Sequence, residues 1–148
     1  MKYILVLILL CVASPTFADS VDKNAKMPFV IKAYAYPTTA NQKNGAVFLE
    51  IQNNLNTPLH ITKAHSDIAD KIELHTHLMD GDTMMMRAVD RFEIPASSHV
   101  KPNPMGDHIM LLGLKQQLKT GATFPLTLSI DKEGEINLDV QIGFYEDK

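Results

Sequence analysis

Apolar residues in this chain never run far before a turn signal stops them. From position 29 to position 145 the sequence falls into short β-type segments: FVIKAYAY (29–36), AVFLEIQN (46–53), LHITKAH (59–65), KIELHTHLM (71–79), TMMMRAV (83–89), FEIP (92–95), HIMLLGL (108–114), TFPLTLSI (123–130) and EINLDVQIGFY (135–145). Pro, Gly and Asn sit between them. The last segment alternates: Ile136, Leu138, Val140 and Ile142 share one face, and Asn137, Asp139 and Gln141 share the other. A period of two marks a half-buried strand. About eight or nine short strands at regular spacing predict an all-β sandwich or barrel. Only DIADKI (67–72) and GLKQQLKTG (113–121) leave room for a helical turn.

The first eighteen residues read differently. Lys2 precedes ILVLILLCVA (4–13), an apolar run too short to span a bilayer as a helix. Small residues at Thr16 and Ala18 then resemble the approach to a cleavage site. The expectation is a secretory signal peptide, residues 1–18, cleaved after Ala18, and one mature periplasmic domain, residues 19–148. Lipidation at Cys11 is not expected, because Leu10 is bulky where a lipobox wants a small residue. Cleavage removes Lys2 and moves the formal charge from −3 to about −4. It also removes Cys11, the only cysteine. The remaining length of about 130 residues can bury a core without disulfide staples. A mildly acidic chain with no basic run is not built for nucleic acid, and no second apolar segment suggests a membrane span.

One stretch stands out. HTHLMDGDTMMM (75–86) holds two histidines and four methionines in a protein with no tryptophan. Asp-Gly between two β-type runs signals a tight hairpin. With Asp80 and Gly81 as the loop, His75 faces Met86 and His77 faces Met84, and all four project from one face. Leu74, Leu78 and Met85 then project from the other, toward a core. In HIMLLGL, His108 and Met110 share a face because strand side chains alternate.

Met commonly fills gaps in cores, and a lone His in a β-protein is more often at the surface or satisfied in the core than a ligand. The joint pattern points elsewhere. Thioether sulfur is soft and neutral, and with imidazole it suits Cu(I). Zinc rarely uses Met, and a blue-copper site needs a thiolate that the mature chain lacks. Thioethers also cannot be drawn into disulfides in an oxidising compartment. His60, His65 and His99 have no such company and are expected to be structural or solvent-facing. A copper enzyme is not expected, since redox cycling favours more nitrogen ligands and no nucleophile–base spacing stands out.

With those residues in hand, the sequence resembles the PCu(A)C family of exported copper chaperones, whose pattern is His, ten residues, Met, twenty-one residues, then His-x-Met. His75, Met86, His108 and Met110 match it at both spacings. MMMRAVDRFEIPA, HIMLLGLKQQLKTG, FPLTLSI and AVFLEIQN look like the family framework. The resemblance implies a cupredoxin-like β-sandwich without the blue-copper cysteine. It implies one Cu(I) per chain held by those four residues. It also implies delivery to a copper-accepting protein, cytochrome c oxidase subunit two with its dinuclear copper centre or another copper chaperone. A storage or resistance buffer without a specific acceptor is the alternative. His77, Met84 and Met105 stand beside the motif as candidate auxiliary ligands, with His77 alternatively a solvent-facing residue and Met105 alternatively a support behind the ligands. Asn103 and Met105 replace a smoother Pro-Gly-Gly approach to His108, and the sequence ends at YEDK without the Met- and His-rich tail of some members.

Overall fold

The computed structural model describes residues 28–145. The signal segment, Cys11 and the cleavage site after Ala18 lie outside them. Ten strands are present: β1 (Phe29–Ala35), β2 (Asn44–Asn53), β3 (Leu59–His65), β4 (Ala69–Asp80), β5 (Thr83–Ala88), β6 (Phe92–Ile94), β7 (Ser98–Val100), β8 (His108–Leu114), β9 (Thr123–Ile130) and β10 (Gly134–Ile142). No described residue is helical. The strands form one sheet in the order β5-β4-β8-β2-β1-β10-β9-β3-β6, with β7 beside β2. Neighbours run antiparallel except β1 and β10, which are parallel.

Leu74 of β4 and Phe92 of β6 come from opposite ends of that order, yet they join the same buried cluster. The sheet therefore curls over and encloses one core between its own halves. Alternation drives this. In β9, Phe124, Leu126, Leu128 and Ile130 are buried while the alternate residues Thr123 and Pro125 are exposed. In β10 the two faces divide as the sequence indicates, with Val140 and Ile142 buried. Each fully buried aliphatic side chain contributes about 1.5–3 kcal/mol.

Both segments with room for a helical turn are irregular or extended instead. In the first, the Ser66 hydroxyl accepts from Ile68 N at 3.4 Å and donates to Pro125 O at 2.6 Å. That turn sends the chain directly into β4. In the second, Leu118 is fully buried, and its N–H donates to the Thr38 hydroxyl at 2.9 Å rather than to a helical carbonyl. Tertiary bonds outcompete local ones. The short β7 was too brief to stand out as a strand.

The β4–β5 hairpin differs in register from the Asp-Gly reading. His77 faces Met86, Leu78 faces Met85, Met79 faces Met84 and Asp80 faces Thr83. The loop is therefore Gly81–Asp82, and His75 faces Ala88. Gly81 has a φ of 62°, and Asp82 is not among the residues with positive φ. Positive φ at the first loop position alone is a type II′ turn, which wants Gly there, whereas Asp80–Gly81 as the loop would need positive φ at both positions. The shift is two residues, so it preserves faces: His75, His77, Met84 and Met86 still share one.

The other face is corrected more deeply. Leu74 is 5% exposed, but Leu78 is 52% and Met85 37% exposed, so neither Leu78 nor Met85 packs in the core. The reason lies next door. β8 begins at His108, opposite His75. Beyond that pair β4 has only β5 as a neighbour, and the hairpin overhangs the sandwich. Leu74→Ala should therefore cost roughly 2–5 kcal/mol, while Met85→Ala should change stability by less than about 0.5 kcal/mol. Urea unfolding of the two variants checks this; equal losses would place the Met85 side chain back in the core.

Candidate metal centre

The site lies on the face of the sheet turned away from the core. Ile109 and Leu111 of β8 point inward, so His108 and Met110 point outward. Across the strands the register sets up rows. One row runs from His108 on β8 through His75 on β4 to Ala88 on β5, with the Phe48 ring of β2 beside His108. The next row toward the hairpin tip holds His77 and Met86. The row on the other side holds Ala46, Met110 and Glu73.

His108 is only 4% exposed although it faces away from the core. Neighbours cover it. Its ring lies 6.0 Å from Phe48, 5.9 Å from His75 and 5.3 Å from His77, centroid to centroid. Phe48 is buried on the outer side by the same means, its ring 5.2 Å from that of Tyr36.

Hydrogen bonds decide which ring nitrogens are free. His108 Nδ1 lies 3.0 Å from the Gly106 carbonyl, which can only accept. Nδ1 therefore carries the hydrogen and Nε2 keeps a lone pair. That lone pair faces Met86 Sδ at 3.1 Å. With neutral imidazole no proton lies between these two atoms, and both are soft donors aimed at one place. His75 repeats the pattern. Its Nε2 lies 3.0 Å from the Glu73 carboxylate, while its Nδ1 is buried without a partner among the described residues. His77 Nδ1 is also buried and unpartnered. An imidazole whose second nitrogen is pinned by a carboxylate or carbonyl is the arrangement seen around metal ions. A buried polar atom left unpaired is costly, and a cation would satisfy it. The donors present thus fit a soft ion. Among the described residues no group of three or more His, Cys, Asp and Glu side chains is disposed to hold a metal, so sulfur must complete any set.

The loop before His108 holds the Gly106 carbonyl in place. Asn103 Oδ1 accepts from Met105 N at 2.9 Å, and Asn103 O accepts from Gly106 N at 2.9 Å. The Asn103 that departs from the family pattern is thus the residue that makes the turn. Farther out, Lys71 Nζ lies 2.6 Å from Glu73. The Lys71 hydrogen bond, then that of His75, holds the Glu73 carboxyl below its ordinary value. Burial acts on His108 in the opposite sense for charge: it pushes the imidazole below its ordinary value, against the Gly106 hydrogen bond, and the charges of His77 and His75 add to the shift.

The structure brings His75, His77, Met86 and His108 together. Met110 lies on the same face one row inward, half-buried, about 6.8 Å along the strand from His108. Met84 lies one row outward from Met86, opposite Met79. Met105 is exposed in the 103–106 turn. His60, His65 and His99 instead lie beside carboxylates, at 3.4 Å from Glu93, 3.7 Å from Asp67 and 3.0 Å from Glu50. Sequence reasoning missed Glu73, Gly106 and Phe48. Phe48 carried a signal, an aromatic out of phase with inward-facing Val47, Leu49 and Ile51. Glu73 stands two residues before His75, on its face. The Gly106 carbonyl has no sequence signature.

Comparison with known proteins bears on the family and the fold. The family model described as putative lipoprotein LpqE-like matches residues 30–142. A putative lipoprotein of Leifsonia xyli subsp. xyli, Lxx21020, is 33% identical over 115 residues, covering 77% of this chain and 68% of that protein. The uncharacterized protein RP573 of Rickettsia prowazekii is 29% identical over 136 residues, covering 89% and 75%. Among solved structures, the copper-bound PCuAC domain from PmoF2 superposes with a TM-score of 0.67 at 17% identity, covering 80% of this chain and 94% of that one. The solution structure of CuI-DR1885 from Deinococcus radiodurans gives 0.64 at 26% identity, covering 84% of each. The cupredoxin-like fold expected from the sequence is the fold observed.

The depressed His108 has a stability signature in the metal-free protein. Its folded form binds fewer protons than its unfolded form between the depressed value and the ordinary 6.5. Stability is then full above that range and falls as pH drops through it. Glu73 and Glu50 are held low and act only in the carboxylate range, below the ordinary 4.5. Thermal melting of apo-protein should decline as pH falls below 6.5, and His108→Asn should flatten that part of the profile. An unchanged slope in the variant would assign the effect to another group.

Proposed function

We propose that this chain, which belongs to the LpqE-like (PCuAC) family, is an exported carrier that holds one Cu(I) ion with His75, Met86, His108 and Met110 and passes it to an acceptor protein. The observation that carries the reading is the 3.1 Å approach of His108 Nε2 to Met86 Sδ, two lone-pair donors facing each other. Met110 completes the set by reaching one row along the same face with a flexible side chain. His75 contributes through Nδ1, the nitrogen that Glu73 leaves free. The likeness to CuI-DR1885 supports the choice of ion.

All four ligands are neutral, so no thiolate or carboxylate must be protonated for the ion to leave. Two imidazoles still make binding pH-dependent. Release is ligand exchange, with an acceptor's donors entering as His and Met depart one at a time. Met86 is exposed and is the natural first ligand to yield. This exposure favours transfer over storage. The acceptor in this reading is the dinuclear copper centre of cytochrome c oxidase, reached through subunit two or another copper chaperone. Export is supported by the apolar leader and by the lipoprotein names of the family and its Leifsonia relative.

Anaerobic titration against a competing chelator should give about one Cu(I) per chain, with zinc and Cu(II) far weaker. Met86→Ala and His108→Ala should lose binding while Glu73→Ala, which frees the His75 ring, should weaken it roughly 10–100-fold. Equal affinity for zinc would sink the assignment. Mixing the loaded protein with apo subunit two then separates carrier from buffer: copper retained against every acceptor favours the buffer. Mass spectrometry of the secreted protein should find Asp19 first; a lipid-modified Cys11 at the terminus would overturn the cleavage site.

A further inference from the structure

The donor face does not stop at the site. Met79 and Met84 face each other at the last pair but one before the turn. They are 62% and 47% exposed. Directly opposed strand residues hold their Cβ atoms about 4.5–5.5 Å apart, so two flexible thioether side chains leave their strands side by side within reach of one ion. They share a face with His77 and Met86 one row inward, and with His75 and His108 one row further. Rows are about 6.8 Å apart. Met86 already shows that this gap is bridged: it lies one row outward from His108, across β4, and its sulfur nonetheless touches His108 Nε2. His77, in the same row as Met86, has a buried, unpartnered Nδ1 and a ring 5.3 Å from that of His108.

We propose that Met79 and Met84 form a second soft-cation site at the hairpin tip, which captures Cu(I) and hands it inward by way of His77 and Met86 to His108. The proposal rests on the reading of the inner site as a Cu(I) carrier. Two sulfurs alone hold a soft ion weakly, which suits a site that must pass it on. Asp82 in the two-residue loop beside the pair attracts a cation without offering it a preferred ligand, while Asp80 faces the other side, 3.7 Å from Arg87. Each handover is one exchange between adjacent rows: a new sulfur or nitrogen bond to the ion forms as an outer sulfur bond breaks, with no change in oxidation state. Packing does not explain the pair, because the hairpin overhangs the core here and aliphatic side chains would cover the strand equally well.

The test replaces sulfur and keeps bulk. In anaerobic stopped-flow, Met79→Leu/Met84→Leu should take Cu(I) from a weak chelator about tenfold more slowly than wild type. Met85→Leu, on the opposite face of the same hairpin, should load at the wild-type rate. With the inner site filled, further Cu(I) should shift the ε-methyl resonances of Met79 and Met84 together. Wild-type loading by the double variant, or methyl resonances that stay in place, overturns the tip site and leaves the inner one standing. Failure of the wild-type protein itself to take up Cu(I) overturns the carrier reading instead.

Discussion

The β4–β8 ladder stops at the pair His75–His108, and both the site and its surroundings follow from that stop. Inward of the pair, β4 is held by β8, and Leu74 packs in the core. Outward of it, β4 keeps only β5. Two imidazoles are thereby placed side by side at the last fully supported position of the sheet, and flexible thioethers lie just beyond. Had β8 begun two residues earlier, the strand would occupy the space that the Asn103–Gly106 turn now uses to present a carbonyl to His108.

That carbonyl and the Glu73 carboxylate do the same job from opposite sides. Each takes the hydrogen of one ring and leaves the other nitrogen bare. In His75 the cost is a buried nitrogen without a partner among the described residues, and His77 Nδ1 is a second one; His108 Nε2 meets the Met86 sulfur instead. Burial pushes the His108 imidazole below its ordinary value and so favours its neutral, ligating form.

Much of this was legible in the sequence. Strand count and faces follow from period-two alternation, and alternation also put His75, His77, Met84 and Met86 on one face through an incorrect register, because a two-residue slip preserves parity. The register itself was not legible. Asp80-Gly81 and Gly81-Asp82 are both acceptable loops, and only the backbone at Gly81 distinguishes them. Met85 was placed in the core because alternation says which side a residue takes and nothing about what lies there. That depends on where β8 begins, set by the Asn103–Gly106 turn, which lies on another part of the chain and is invisible to a local pattern. The chemistry of the ring nitrogens was equally hidden, since it depends on a main-chain carbonyl that any residue supplies.

The overhang has an evolutionary consequence. Residues 76–87 carry the donors outermost on the protein, yet this segment adds little to the cluster that keeps the domain folded. Substitutions at the tip are therefore filtered by what they do at the surface and not by whether the chain survives as a folded body. The scaffold and the delivery surface can diverge at separate rates. Lineages sharing the sandwich can refit the hairpin to new acceptors without first acquiring compensating changes in the core.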